Sequence, residues 1–120
     1  MYYFDTYAII EIINGNKSYE KFKNQKIVTS ILNVSELYWA FLNKHSRQTA
    51  DYWIKKISFD LIGFGETECI ETMRYRYSRK KDNLSFVDCL GYVLSLKNSL
   101  KFLTGDKGFE KELNVEFVQK

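Results

Sequence analysis

The sequence has no proline, and it has no internal repeat or low-complexity tract to mark a linker. Its 120 residues therefore read as a single domain, residues 1–120, long enough to bury one core without disulfides. The only cysteines, Cys69 and Cys89, lie in apparent helices without the close pairing that zinc sites use, and they read as reduced core residues. The single histidine, His45, sits in a polar turn between Lys44 and Ser46, so no histidine is placed to ligate a metal. No apolar run approaches membrane-spanning length, and Asp5 and Glu11 would interrupt the apolar part of any secretion signal. A cytoplasmic protein with no membrane partner is expected. The net charge of +3 is too small to argue for a polyanion partner unless the cations cluster.

Aromatic residues are abundant: nine Tyr and nine Phe raise the aromatic share to 17%, and they should dominate the packing. The first of them set the organisation of the chain. Tyr2-Tyr3-Phe4 shows no polar alternation, as suits a central strand covered on both faces, and it stops at Asp5-Thr6. An acid at the end of a parallel strand stands where open α/β sheets place their chemistry, and it can also N-cap the helix that follows. That helix carries Ala8, Ile9, Ile12 and Ile13 inward and stops at Asn14-Gly15-Asn16; a short helix over Tyr19–Lys23 follows.

Ile27–Leu32 reads as a second strand, and Asn33 as the start of a helix whose third residue is Glu36, close to a capping box. This helix is apolar on nearly all sides, which predicts packing on more than one face, and Glu36 is the only formal charge between Lys26 and Lys44. Such an acid either caps backbone amides or points into a polar cavity. Ala50, Trp53, Ile54 and Ile57 mark another helix, Phe59–Ile62 a third strand, and Gly63 and Gly65 the turn out of it. The next helix should turn Cys69, Ile70, Met73 and Tyr77 inward. It ends in five cations within eight residues, from Arg74 to Lys81. These cations fit a solvated helix end equally as well as a phosphate-binding rim using Arg74, Arg76, Arg79 and Lys80.

Ser85-Phe86-Val87-Asp88 repeats the capping pattern, and Gly91 and Ser95 give the face on the side of Asp88 small residues that let it approach the sheet. Leu100–Thr104 is a strand, Gly105-Asp106-Lys107-Gly108-Phe109 the turn beyond it, and Val115–Val118 an edge strand guarded by Glu116, Gln119 and Lys120. Strands alternating with helices make this an α/β fold, three layers α/β/α, with a mainly parallel central sheet of about five strands. Asp5, Glu36, Asp88 and Asp106 could then converge at the carboxyl edge. Four carboxylates without Lys or Arg partners would repel one another, which implies a divalent cation; oxygen-only ligands suit Mg²⁺ or Mn²⁺.

In order and context these residues resemble a PIN domain, most similar to the VapC toxins of toxin–antitoxin pairs. The resemblance rests on Tyr2-Tyr3-Phe4-Asp5-Thr6, Ser35-Glu36-Leu37, Asp88-Cys89-Leu90-Gly91 and Leu103-Thr104-Gly105-Asp106-Lys107-Gly108-Phe109, and it spans nearly the whole chain. Gly91, where the family more often has alanine, and the missing proline depart from the pattern without touching the acids. The resemblance implies a metal-dependent endoribonuclease with RNA as substrate, a cognate antitoxin and a homodimeric state. It also implies that Asp5, Asp88 and Asp106 hold Mg²⁺ or Mn²⁺, that Glu36 orients or deprotonates water, and that Thr6 and Thr104 fix carboxylate rotamers. A PIN-like module kept for RNA or protein binding is the alternative. A receiver-type domain would need paired acids after strand one, and a haloacid-dehalogenase-type phosphatase Asp-x-Asp, where this chain has Asp5-Thr6-Tyr7. Tyr19, Tyr52 and Tyr75 are aromatics that an interface could use.

Overall fold

The computed structural model describes residues 1–119; Lys120, one of the polar residues expected to guard the edge strand, lies outside the described residues. Five short strands, β1 (Tyr2–Phe4), β2 (Ile27–Thr29), β3 (Phe59–Leu61), β4 (Lys101–Thr104) and β5 (Val115–Phe117), form one sheet in the order β3-β2-β1-β4-β5. Every pairing is parallel, with Tyr3 opposite Val28 on one side and Phe4 opposite Leu103 on the other. The helices are α1 (Thr6–Ile13), α2 (Ile31–Lys44), α3 (Arg47–Lys56), α4 (Glu66–Ser78) and α5 (Phe86–Lys97). Short 3₁₀ turns span Lys17–Phe22, Lys80–Asp82 and Lys107–Phe109.

The centre of the sheet explains the unalternating aromatic start. Successive strand residues point to opposite faces, and both faces of β1 are covered. Phe4 packs with Ala8, Ile9, Leu37, Phe41 and Leu103 on the side of α1, α2 and α3, while Tyr3 packs with Leu90, Tyr92, Phe102 and Phe109 on the side of α5. Each such ring contributes roughly 1.5–3 kcal/mol by leaving water. The expected three-layer architecture is therefore present, and its sheet is parallel throughout.

On the second face α5 comes very close to the sheet. A Cβ added at Gly91 would lie 2.9 Å from the Phe102 ring and 3.0 Å from the Tyr3 ring, so glycine is needed there for its size. Ser95, one turn further, is fully buried and returns its hydroxyl to the Tyr92 carbonyl.

Three local expectations are corrected. β2 stops at Thr29 and α2 begins at Ile31, because Ser30 rather than Asn33 is the cap: its hydroxyl oxygen accepts the Asn33 N–H. This helix buries only the stripe Asn33, Leu37 and Phe41 and leaves Ile31, Trp39 and Leu42 exposed, so its apolar circumference does not mean packing all round.

Helix α4 is rotated relative to the expected inward face. Thr72 is buried and Cys69 partly so, whereas Ile70 and Met73 are half exposed and Tyr77 is 70% exposed. Contacts to α5 set this rotation: Tyr75 stacks on Tyr92 at 4.9 Å between centroids, and Lys97 pairs with Glu68 and Glu71. Of the aromatics an interface could use, Tyr52 is exposed, but Tyr19 is fully buried and donates its hydroxyl to the Val118 carbonyl.

Gly91→Ala should lower stability by roughly 1–3 kcal/mol through overpacking, despite the better helix propensity of alanine. Urea unfolding checks this, and an unchanged midpoint would show that the Phe102 and Tyr3 rings can give way.

Candidate active site

The strand order reverses between β1 and β4, and ligands of open α/β sheets bind at that crevice, outside the carboxyl ends of the strands. Both ends carry an acid. Asp5 follows β1 directly and caps α1, Oδ1 accepting the Thr6 N–H at 2.9 Å, while its Oδ2 accepts the Thr104 hydroxyl from β4 at 2.7 Å. The Thr104 oxygen in turn accepts the Asp106 N–H at 3.1 Å, and Asp106 caps the next 3₁₀ turn through the Gly108 N–H at 2.9 Å. One threonine thus locks the two strand-end acids into register.

The third acid comes from the opposite layer. Ser85 and Asp88 form the expected capping box, each side chain accepting the other's backbone N–H at 3.1 Å, and this aims Asp88 from the first turn of α5. Asp5, Asp88 and Asp106 line one cavity of about 620 Å³ together with Thr6, Tyr7, Gly105, Lys107 and Gln119. Gly105 is required by this wall, because a Cβ there would fall 2.2 Å from the Tyr7 ring and 2.6 Å from the Val118 carbonyl.

Glu36 is not in a first-turn capping box as expected, since α2 starts earlier, and it is not among the residues lining the cavity. Instead its Oε1 accepts the Thr6 hydroxyl at 2.7 Å. Behind that bond stands a chain of buried polar groups. Asn33 donates from Nδ2 to the Thr6 hydroxyl at 3.0 Å, and its Oδ1 accepts the hydroxyls of Ser30 and Tyr3. Asn33 is fully buried with both ends of its amide engaged, so Tyr3, Asn33, Thr6 and Glu36 form one satisfied network. In the sequence Asn33 reads as a helix cap and Tyr3 as core. The signal available was Asn33 standing one turn before Glu36, on the same helix face.

No Lys or Arg forms an ion pair with any of the four acids among the described residues. The electrostatic consequence is plain. Desolvation pushes the Asp5 carboxyl up to about 8; the negative charges of Asp88 and Glu36 add to this, and the Thr104 and Thr6 hydrogen bonds oppose it. Burial likewise raises Glu36, against its Thr6 bond, and raises Asp88, against its Ser85 bonds and aided by the charge of Asp106.

This donor set suits a hard divalent cation in kind and charge: oxygens only, mutually repelling, and without a cationic partner. Among the described residues, however, no three His, Cys, Asp or Glu side chains stand grouped closely enough to hold one ion. Asp88 and Asp106 each spend one carboxylate oxygen on a cap, Oδ2 and Oδ1 respectively.

The cations of the 74–81 run are not brought to this cavity. Arg79 is an internal residue: it bonds Asp82 at 2.9 Å, Glu112 at 3.0 Å, the Tyr75 hydroxyl at 2.8 Å and the Gly108 carbonyl, with the Phe109 ring beneath it. Arg76 donates to the Leu84 carbonyl and Lys80 lies over Tyr77, both lining a separate hollow, while Arg74 is exposed on α4. Lys107, which does line the acid cavity, lies outside that run and has no sequence signal of its own.

Asn33→Leu should orphan the buried Tyr3 phenol and cost about 1–3 kcal/mol, read as a lowered urea midpoint. The Asp5 shift also gives a signed pH dependence. The folded carboxyl binds its proton more tightly than the unfolded one, whose pKa is about 3.9. In chelator, stability should be greatest below about pH 4 as far as this group is concerned and should fall as pH rises through about 8. Thermal melts of wild type against Asp5→Asn check this: the variant should lose less between pH 5 and pH 8, and parallel curves would contradict it.

The sequence matches the PIN domain family over residues 2–112. No curated protein matches it. Among solved structures, a toxin–antitoxin complex from Klebsiella pneumoniae contains a similar chain at 17% identity and a TM-score of 0.75, with 97% of this chain and 96% of that chain covered. VapBC2 from Rickettsia felis, bound to a DNA fragment from its promoter, is similar at 17% identity and a TM-score of 0.69, with coverage of 98% and 97%. At this identity the two complexes bear on the fold.

Proposed function

The chain belongs to the PIN domain family, and on that premise we propose that it is a metal-dependent endoribonuclease, the VapC-like toxin of a toxin–antitoxin pair acting in the cytoplasm. The observation that carries this reading is the cavity at the sheet's switch point, walled by Asp5, Asp88 and Asp106 with no ion-paired cation among the described residues to offset them. In it Asp5, Asp88 and Asp106 would hold one or two Mg²⁺ or Mn²⁺ ions, directly or through water, and such an ion when bound would lower the pKa of water and neutralise charge on a scissile phosphate. Thr104 fixes the Asp5 carboxylate through its hydroxyl, and Thr6 fixes Glu36. Glu36, held by Thr6 and raised by burial, would orient the attacking water or take its proton. The likeness to chains of two toxin–antitoxin complexes supports an antitoxin as partner, and the family resemblance supports a homodimer.

The basic run from Arg74 to Lys81 is left out of this site, since Arg79 is engaged internally and Arg74, Arg76 and Lys80 do not line the cavity. A second reading, a non-catalytic PIN-like module for RNA or protein binding, draws on the lack of any three grouped metal-ligating side chains among the described residues.

Cleavage of a mixed pool of structured RNAs with Mg²⁺ or Mn²⁺, compared with EDTA, separates the two. Asp5→Asn, Asp88→Asn and Asp106→Asn should each lower the rate by more than about 100-fold, and Thr104→Val by roughly 10–100-fold. Full activity in any of the three Asn variants would overturn the site. No cleavage, together with no divalent-ion binding that depends on Asp5 by calorimetry, would favour the module.

A further inference from the structure

The acid cavity does not end at its own wall. Lys107 lines it and also lines a second hollow of about 450 Å³, which lies across the 3₁₀ turn and is bounded further by Arg79, Asp82, Lys111 and Glu112. The two spaces therefore meet at one side chain. The second hollow contains two acids, but Arg79 pairs with both, with Asp82 at 2.9 Å and with Glu112 at 3.0 Å. Three cations therefore face two acids in this hollow, a net positive lining, and Lys107 and Lys111 are both exposed and both outside every ion pair among the described residues.

The backbone under these lysines is held firmly. Asp106 caps the turn, Arg79 donates to the Gly108 carbonyl, and Phe109 is fully buried against Phe102 and Tyr92. Gly108 is itself closely packed, since a Cβ there would lie 2.7 Å from a Leu84 methyl carbon. Lys107 thus stands on a fixed support beside the carboxylates, with Lys111 in the adjoining hollow, and the guanidinium of Arg79 helps to supply that support. Arg76 and Lys80 of the conspicuous run have a different place, lining a hollow that shares neither lysine.

We propose that Lys107 and Lys111 form the track for the phosphodiester backbone of single-stranded RNA as it leaves the acid cavity, and that the exposed cations Arg74 and Lys80 do not. A polyanion threaded past three carboxylates needs compensating charge near their cavity, and these two lysines provide it, Lys107 in the lining of both hollows and Lys111 in the second. This assignment rests on the reading of the acid cavity as a phosphodiester site, and it names the substrate-binding residues of that site.

The test is binding of a fluorescein-labelled single-stranded oligoribonucleotide, followed by anisotropy across a salt series in EDTA so that nothing is cleaved. Removing one phosphate-binding cation should flatten the slope of log K against log salt by about 0.7, so Lys107→Ala with Lys111→Ala should flatten it by about 1.4. Arg74→Ala with Lys80→Ala should leave it unchanged. A wild-type slope in the Lys107/Lys111 variant, an equal or larger change in the Arg74/Lys80 variant, or no RNA binding by the wild type would each overturn the track. In the first case the lysines belong to a protein contact or to solvent.

Cleavage by the wild type with Mg²⁺ or Mn²⁺ is scored separately. Binding with the expected slopes but no cleavage would sink the nuclease and keep the track. Cleavage with wild-type slopes in the lysine variant would do the reverse.

Discussion

The structure depends on a buried carboxylate held by a hydroxyl from the neighbouring strand. Asp5 is 2% exposed, and Thr104 reaches it from β4. Burying an unpaired charge is costly, so the fold must supply hydrogen bonds for it or leave it protonated, and the raised pKa of Asp5 shows that the bonds do not fully offset the burial. The rest of the carboxyl edge follows from that tension. Thr104 must sit opposite the end of β1, which fixes the β1–β4 register, and its oxygen then positions Asp106. Asp88 arrives only because Gly91 lets α5 lie against Phe102 and Tyr3.

Much of this was legible in the residues. Unalternating aromatics before Asp5 gave a central strand, Ser85-x-x-Asp88 gave a capping box, and the glycine on the acid's side of α5 gave a close approach; all three are present. These signals are local, or depend on one period, and so survive in a linear sequence. The misplaced features depend on which of several apolar faces finds a partner. The circumference of α2 offered no preferred side, and the choice fell to the stripe Asn33, Leu37 and Phe41. The face of α4 was decided by Tyr75 meeting Tyr92 and Lys97 meeting Glu68 and Glu71, pairings between helices that periodicity does not encode.

The candidate site was divided in the same way. Its acids could be named from their positions at strand ends and helix starts. What Glu36 does there could not, because its partner Thr6 and the supporting Asn33 and Tyr3 come from three different elements. Arg79 shows the converse error. As part of a cluster of positive charge it looked like a surface group, whereas a planar guanidinium with five donors is also well suited to tie a helix end to a loop, and here it does so.

The topology also has a consequence for synthesis. Of the five strands β1 comes earliest in the chain, yet it lies in the middle of the sheet, and its partner β4 begins at Lys101, with Tyr2 opposite it. Contacts of such long sequence separation form only after the intervening chain is available. A nascent chain emerging from the ribosome therefore has Asp5 early but no Thr104 to hold it and no Asp106 beside it. The cavity comes into being only once Asp106 has been made, so a product truncated before it carries the first acid without the pocket.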